Sequence, residues 1–241
     1  DSRWAVPHFE KMLYDQVLLA EAYLDAFLVT GEPRYATTVR DVLAYVQRNL
    51  RGREGGFYCA EDADTNEGEG AYYLWTLRQL RQSLTPAQLS VVAAFAGLPL
   101  DEQGELTGDA IGEDQPFVLA FASPVEDAAR TLGIPSAAAG ELLEEARAAL
   151  LAARERREPV EVDDKILADW NGLMAAAIAR VGRVLGDPAA INAAHRAAEL
   201  VHGSLRSADG RLLHRAGTGP SGVPGFLDDY AFLAWAWIEL Y

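Results

Sequence analysis

Apolar residues recur every three to four positions along two neighbouring stretches near the start of the chain. The first stretch predicts an amphipathic helix over residues 8–29, and the second predicts another helix after Gly31-Glu32-Pro33. A glycine after one helix and a proline in the first turn of the next are typical of a helical hairpin, which Gly55-Gly56 then ends. The apolar positions are Leu13, Val17, Ala20, Leu24 and Phe27 in the first helix and Tyr35, Val39, Val42, Val46 and Leu50 in the second.

The same hairpin pattern recurs around Gly186-Asp187-Pro188, preceded by a helix predicted near 165–185. A further helix start at Phe226-Leu227-Asp228-Asp229-Tyr230 leads into an apolar run that continues to Tyr241. Helical patterns also cover about 75–96 and 139–157, whereas the glycine- and proline-rich segment 97–125 predicts a loop with a short helix or strand. Recurring helical hairpins indicate an α-toroid or a solenoid.

Composition and charge narrow the class of function. The chain has 241 residues, of which 50% are hydrophobic, and a net charge of −15. Such an acidic surface repels phosphate backbones and anionic lipids, so we expect neither nucleic-acid nor membrane partners. Apolar runs of membrane-spanning length are absent from the sequence, and the single cysteine, Cys59, excludes an internal disulfide. We expect a cytoplasmic protein, and the start without Met and the uncapped apolar end suggest a piece of a longer one.

Acidic and aromatic residues gather where three predicted helices begin. If the hairpins close around an axis, these beginnings meet at one mouth, where aromatic faces and carboxylates suit a sugar. An aspartate at a helix start is equally compatible with simple capping, and the aromatic residues are equally compatible with the core. The residues concerned are Trp4, His8, Glu10 and Lys11 in the first helix, Asp163, Asp164, Lys165, Asp169, Trp170 and Asn171 in the second, and Asp228, Asp229 and Tyr230 in the third.

The acidic segment 61–70 partly imitates a calcium-binding loop. Asp62, Asp64 and Asn66 match the first ligand positions, but Glu67 stands where glycine is needed and Tyr73 stands where glutamate is needed. An EF-hand is therefore excluded, and irregular calcium binding or a solvated turn stay open. The flanking segments 55–60 and 71–76 read as two strands of a hairpin over the mouth, with the acids near its turn.

The histidines and the single cysteine offer few candidates for catalysis. We expect His8 to lie at a helix start, where the helix dipole keeps the imidazole neutral and available as a base. His195, His202 and His214 are expected to be structural or at the surface. Cys59 has no basic neighbour in sequence that would activate it as a nucleophile. We expect no cofactor and no metal.

Four motifs resemble the thioredoxin-domain-containing family that includes spermatogenesis-associated protein twenty. The longest is Trp4-Ala5-Val6-Pro7-His8-Phe9-Glu10-Lys11-Met12-Leu13-Tyr14-Asp15-Gln16. The others, in the same order as in the family, are Gly55-Gly56-Phe57-Tyr58 through Thr76, Asp163 through Met174, and Gly225-Phe226-Leu227-Asp228-Asp229-Tyr230-Ala231. One departure is Cys59, where relatives commonly carry a small residue such as serine.

The resemblance implies a thioredoxin-like domain followed by an (α/α)6 toroid, similar to N-acylglucosamine 2-epimerases and six-hairpin glycosidases. We therefore expect an all-α chain with short β-hairpin insertions, in which residues 1–241 form a single domain from the middle of the toroid. The thioredoxin-like domain and both ends of the toroid would lie outside this chain. Such a fragment would expose apolar helix faces, so we expect it to self-associate or to be unstable.

Two classes of function follow. The first is a sugar epimerase, isomerase or glycosidase, with a small sugar or sugar-like molecule as ligand. The alternative is a non-catalytic scaffold that binds a ligand or a protein for the thioredoxin-like domain. The candidate catalytic residues are His8, Glu10, Asp62, Asp64, Asp164 and Asp228, and the candidate substrate-binding residues are Trp4, Tyr72, Trp75, Lys165, Trp170, Asn171, Asp229 and Tyr230.

Overall fold

The computed structural model describes residues 2, 6–107, 112–120, 123–216 and 222–241. The chain groups into two compact units: unit 1 comprises Asp1–Phe9 and Ala63–Val160, and unit 2 comprises Glu10–Asp62 and Glu161–Tyr241. Each unit is described by itself, and the expectation of a single domain over 1–241 stays a prediction.

Helices dominate both units. They are α1 (Leu13–Thr30), α2 (Pro33–Tyr45, continued by a π-helical turn Val46–Leu50), α3 (Leu77–Ser83), α4 (Pro86–Ala96), α5 (Val125–Leu132), α6 (Ser136–Arg154), α7 (Ala168–Leu185), α8 (Pro188–Ser204) and α9 (Leu227–Leu240). The strands have two residues each and are β1 (Lys11–Met12), β2 (Ala60–Glu61), β3 (Asp64–Thr65), β4 (Gly68–Glu69), β5 (Val162–Asp163), β6 (Ile166–Leu167) and β7 (Arg215–Ala216). The predicted class, all-α with (α/α) hairpins and short β-hairpins, is confirmed.

The two predicted helical hairpins of unit 2 are present, and their turns have the expected chemistry. Gly31 adopts a left-handed conformation (φ 71°) after α1 and donates its backbone N–H to the carbonyl of Phe27. Gly186 adopts the same left-handed conformation after α7 (φ 69°). The side chain of Asp187 then caps α8 by accepting the N–H groups of Ala189 and Ala190.

Helix α7 is the central element of the unit 2 core and packs against α1, α8 and α9. The approach of α9 depends on Gly172, because a Cβ at this position would lie 2.7 Å from the backbone nitrogen of Leu233. Small residues along the rest of α7, such as Ala176 and Ala177, are fully buried and allow the same close packing.

Helix α1 begins at Leu13 and not near residue 8. Lys11 and Met12 pair as strand β1 with Glu61 and Ala60 of β2, and the Leu13 N–H donates to the carbonyl of Cys59 at 2.9 Å. The residues before β1 therefore lie outside the helix. The expectation that a helix dipole acts on His8 is wrong for this reason.

The predicted strand hairpin between 55–60 and 71–76 is also wrong. Strand β2 pairs instead with β1 and β5, and Trp75 forms an isolated bridge with Phe117. The acidic segment forms its own small hairpin, in which β3 pairs with β4. Residues 71–73 form a turn rather than a strand, and three nearby carbonyls, from Ala71, Tyr72 and Leu74, accept hydrogen bonds from the Arg157 guanidinium.

The core of unit 1 lies between α3, α4, α5 and α6. Threonine caps begin α3 and α4: Thr76 and Thr85 each exchange two hydrogen bonds with the glutamine three residues later. Helix α5 was not predicted, because its eight residues lie next to the glycine- and proline-rich segment. No helix within the described part of the chain is long and apolar enough to cross a membrane.

Candidate functional site

A cleft of about 450 Å³ in unit 2, here called the acidic cleft, contains several of the predicted site residues. It is formed by β1, by the segment around β2, and by the chain from β5 into the first turn of α7. The residues that line it are Glu10, Met12, Cys59, Ala60, Asp62, Glu161, Val162, Asp163, Lys165, Leu167 and Trp170.

The three-stranded sheet β1-β2-β5 brings distant parts of the sequence to this cleft. Met12 lies opposite Ala60, and Ala60 lies opposite Asp163. Next to the sheet, the Asp62 N–H donates to the Glu161 carbonyl at 2.8 Å. These pairings join segments about 50 and 100 residues apart, so the cleft exists only when unit 2 is folded.

A buried carboxylate anchors strand β2 of this sheet. Glu61 is 1% exposed, and its Oε2 accepts hydrogen bonds from the Tyr45 hydroxyl and the Asn49 amide, both at 2.9 Å. Glu61 thereby ties strand β2 to α2 and its π-helical turn.

The cleft is rich in carboxylates and has one lysine. The Lys165 ammonium pairs with the Asp163 carboxylate. Partial burial alone would raise the pKa of Asp163, but hydrogen bonds from Lys165 and Cys59 outweigh it, and the pKa is lowered. Asp163 is therefore ionised at neutral pH, and it neutralises the charge of Lys165 within the cleft.

Cys59 lines the cleft but is chemically quiet. Burial is the main reason that the pKa of its thiol rises to about 12, and a hydrogen bond to Asp163 adds to this effect. The thiol donates to the Asp163 carbonyl at 3.4 Å. A protonated, buried thiol is a poor nucleophile, which agrees with the absence of an activating neighbour in the sequence.

Trp170 forms the aromatic wall of the acidic cleft. It lies in the first turn of α7, and its ring packs against Tyr14 with 4.9 Å between centroids and an angle of 58°. The indole is only partly buried, so it belongs to the core on one side and to the cleft on the other.

Asn171 is fully buried behind the cleft and its amide is used within the protein. Its Oδ1 accepts the Phe57 N–H at 2.7 Å, and its Nδ2 donates to the carbonyls of Phe57 and Leu167 at 3.0 and 2.9 Å. This side chain fastens the turn before β2 to the start of α7. It supports the cleft and does not line it.

A second polar group in unit 2 lies at the beginning of α9. Asp229 is fully buried, and its carboxylate accepts the N–H groups of Phe226 at 2.6 Å and Asp169 at 2.9 Å. The His214 Nδ1 lies 3.1 and 3.2 Å from the two oxygens of the same carboxylate. Burial first, and the nearby Asp229 charge as well, raise the pKa of Asp169.

This group lies next to the acidic cleft along the chain. Asp169 is the neighbour of Trp170 and accepts its N–H at 2.8 Å, and the Ala168 N–H donates to the His214 carbonyl at 2.8 Å. The sequence analysis expected only a structural or surface role for His214. Its contact with Asp229 joins two residues 15 positions apart in the sequence, and no spacing rule signals it.

The side chains of Asp169, His214 and Asp229 also form the set that could best hold a metal ion. Among the described residues, the only set of three His, Cys, Asp or Glu side chains whose ligand atoms all lie within 4.8 Å of one another is Asp169, His214 and Asp229. Both oxygens of Asp229 already accept backbone N–H groups, so the arrangement favours a histidine–aspartate hydrogen bond. The acidic segment 61–70 gathers no comparable set of ligands.

The other predicted residues of unit 2 are dispersed. Asp164 and Asp228 are exposed, and Asp228 lies beside Asp229 in the first turn of α9. Tyr230 is 44% exposed, and its hydroxyl accepts the Leu212 N–H at 3.0 Å. Of the two adjacent aspartates, only Asp229 points into the protein.

The remaining predicted residues belong to unit 1, except that Trp4 lies outside the described residues. His8 and Asp64 are exposed. Tyr72 is partly buried and contacts the Tyr73 ring edge-on at 5.0 Å. Trp75 is 5% exposed and lies 4.2 Å beneath the guanidinium of Arg157. The predicted meeting of all these residues at one mouth stays a prediction.

Comparison with solved structures gives only weak likenesses. A cellobiose 2-epimerase from Spirochaeta thermophila is 14% identical with a TM-score of 0.28, covering 96% of this chain and 70% of the other. A sugar epimerase from a ruminal bacterium is 10% identical with a TM-score of 0.27, covering 95% and 71%. A family 105 glycoside hydrolase from C. acetobutylicum has a TM-score of 0.20 at 14% identity, covering 91% and 78%. At TM-scores of this size, the likenesses assign no function to this chain.

Comparison with curated sequences gives much stronger matches, although no protein-family model matches the chain. Human spermatogenesis-associated protein 20 is 38% identical over 273 residues, which cover 100% of this chain and 34% of the human protein. The mouse protein of the same name is 35% identical, again over 100% of this chain and 34% of its own length. The family resemblance of the four motifs is therefore confirmed: over its whole length the chain is related to spermatogenesis-associated protein 20, and it spans about a third of the length of these relatives.

Proposed function

We propose that the acidic cleft binds a sugar or a sugar-like molecule, and that the chain is part of a carbohydrate-active enzyme of the epimerase, isomerase or glycosidase type. The observation that carries this proposal is that Glu10, Asp62, Lys165 and Trp170 line one cleft of about 450 Å³. Such a volume lies within the range of small-molecule sites, roughly 300–1,000 Å³.

The lining of the cleft matches the chemistry of a sugar. Carboxylates accept hydrogen bonds from hydroxyl groups, and an indole face packs against the C–H face of a pyranose ring. The pair of Asp163 and Lys165 offers both an acceptor and a donor at one side of the cleft. The apolar side chains of Met12 and Val162 would cover less polar parts of the ligand.

The pair of His214 and Asp229 supports a proton-transfer reaction. A buried carboxylate that accepts the Nδ1–H of an imidazole fixes its tautomer and leaves Nε2 to take or give a proton. Epimerisation beside a carbonyl needs such a base. His214 does not line the acidic cleft, and we assign to it the role that the sequence suggested for His8 because of its pairing with Asp229. In a hydrolase, Glu10 and Asp62 would be the two carboxylates that act across the scissile bond.

A non-catalytic binding scaffold is the second candidate. It is favoured by the engagement of two acids within the protein, since Asp229 caps α9 and Asp163 pairs with Lys165. In this case the acidic cleft would bind its ligand without turnover, and the ligand would serve the thioredoxin-like domain that the family resemblance implies for the longer protein.

A sugar panel tests the proposal and separates the two candidates. The protein is incubated with N-acetylglucosamine, N-acetylmannosamine and disaccharides, while its melting temperature is measured and products are followed by NMR. We expect a melting shift that Glu10→Gln weakens and that the exposed control Glu141→Gln leaves intact. Turnover that is lost in His214→Gln supports the enzyme, and binding without turnover supports the scaffold. Failure of every sugar to bind overturns the sugar site and the enzyme, and favours a scaffold that binds a different ligand or a protein.

A further inference from the structure

A second cleft of about 420 Å³ in unit 2 differs in chemistry from the acidic cleft. Its walls are α2 with its π-helical turn on one side and the C-terminal half of α7 with the beginning of α8 on the other. The acidic cleft lies at the opposite, N-terminal end of α7. An 18-residue helix spans about 27 Å, so the two clefts are separate.

Three arginines lie around this second cleft, here called the arginine cleft. Arg40 comes from α2, Arg51 follows the π-helical turn, and Arg196 comes from α8. All three side chains are exposed at the rim. The floor between them is apolar and includes Leu43 and Val181.

These arginines lack the carboxylate partners that are common elsewhere in this acidic chain. Arg78 pairs with Asp114 at 2.6 Å, and Arg130 pairs with Asp127 at 2.9 Å. Among the described residues, no carboxylate oxygen lies within 4.0 Å of the side-chain nitrogens of Arg40, Arg51 or Arg196.

The one aspartate that lines the arginine cleft is already engaged. The Asp187 side chain accepts the N–H groups of Ala189 and Ala190 at 2.9 and 3.2 Å, which caps α8. Three guanidinium groups and one capping carboxylate leave the cleft with an excess of two positive charges, on a chain whose net charge is −15. The local potential therefore favours an anion against the field of the rest of the chain.

We propose that the arginine cleft binds a small organic anion, with its carboxylate or phosphate on the arginines and an apolar part on the floor. Guanidinium groups bind oxyanions through paired N–H donors, so arginine suits this role better than lysine. The volume of about 420 Å³ lies within the range of small-molecule sites, roughly 300–1,000 Å³. This inference does not depend on sugar binding at the acidic cleft.

Isothermal titration with three probes tests the proposal: octanoate, octyl phosphate and inorganic phosphate. We expect at least one of the alkyl anions to bind, more tightly than inorganic phosphate does, and its affinity to fall as salt is raised. The preference between octanoate and octyl phosphate identifies the anionic group. If none of the three probes binds, the proposal is overturned.

Two kinds of variant locate the binding. Arg40→Gln and Arg196→Gln should each weaken binding about tenfold, because each removes a charge-assisted hydrogen bond. Ala44→Phe should block the apolar floor and leave the arginines in place, since Ala44 is exposed and lines the same cleft. The control Arg130→Gln changes an exposed arginine of unit 1. Equal affinity in the wild type and in all three cleft variants would overturn the assignment.

Discussion

Replacement of Asn171 by alanine should destabilise unit 2 more than any exposed substitution. The wild-type amide exchanges two hydrogen bonds with the backbone of Phe57 and donates a third to the Leu167 carbonyl. Alanine removes all three bonds in a place that solvent does not reach, because Asn171 is fully buried. The N–H and the carbonyl of Phe57 then lose the only partners that they have among the described hydrogen bonds.

The size of the effect follows from these two backbone groups. Each buried donor or acceptor left unpaired costs about 1–3 kcal/mol, so the two together cost about 4 kcal/mol. The Leu167 carbonyl adds little, because it also accepts a backbone hydrogen bond at the start of α7. A loss of about 4 kcal/mol is a large part of the 5–15 kcal/mol that typically holds a domain together.

Urea unfolding followed by far-UV circular dichroism measures this loss through linear extrapolation. The matched control is Asn192→Ala, the same substitution at an exposed position inside α8, which should change the free energy of unfolding by less than about 0.7 kcal/mol. If Asn171→Ala costs less than about 1 kcal/mol, the amide does not clamp Phe57 and this explanation of its burial is refuted.

Three further predictions concern Gly172, Cys59 and Asp169. Gly172→Ala should cost about 3 kcal/mol by urea unfolding, because its Cβ would meet the Leu233 backbone at 2.7 Å, whereas Gly140→Ala, with open space around it, should be neutral or stabilising. Cys59, with a pKa of about 12, should react with a thiol reagent at pH 8 only after unfolding; fast reaction of the native protein would contradict its burial. The pKa of Asp169 is raised in the folded state, so protonation of this carboxyl group stabilises the fold. This stabilisation is complete below the unfolded pKa and is lost as the pH rises through the folded pKa. Asp169→Asn should therefore raise the melting temperature at neutral pH and lose this advantage in acid; an equal shift at both pH values would argue against a partly buried carboxylate with a raised pKa.

The helical hairpins could be predicted from the sequence because their signals are local. Gly31-Glu32-Pro33 and Gly186-Asp187-Pro188 mark both turns, and each glycine adopts the left-handed conformation that such turns require. The spacing of apolar residues identified the buried face of α1, including Val17 and Leu24. The start of α1 was missed because the strand pairing of Lys11–Met12 overrides its helical periodicity.

The site could be predicted only in part, because its geometry depends on pairings between distant segments. Glu10 and Trp170 were selected by residue type and by their positions near predicted helix starts, and Asp62 by its place in the acidic segment 61–70. All three share one cleft. The sequence offered no way to decide that Asp229, and not Asp228, faces inward. The contact of Asp229 with His214 is fixed by tertiary packing, as is the burial of Asn171.

The most direct test of the central proposal is an NMR titration that follows the indole N–H signals of the tryptophans as sugars are added. Trp170 lines the acidic cleft, whereas Trp237 contacts His195 and His202 and does not line it. The account predicts that the Trp170 signal shifts in a saturable way with at least one sugar, that the Trp237 signal stays unchanged, and that Asp62→Asn weakens the response. Sugars that leave the Trp170 signal unchanged, or that shift both signals equally, would contradict a sugar site in the acidic cleft.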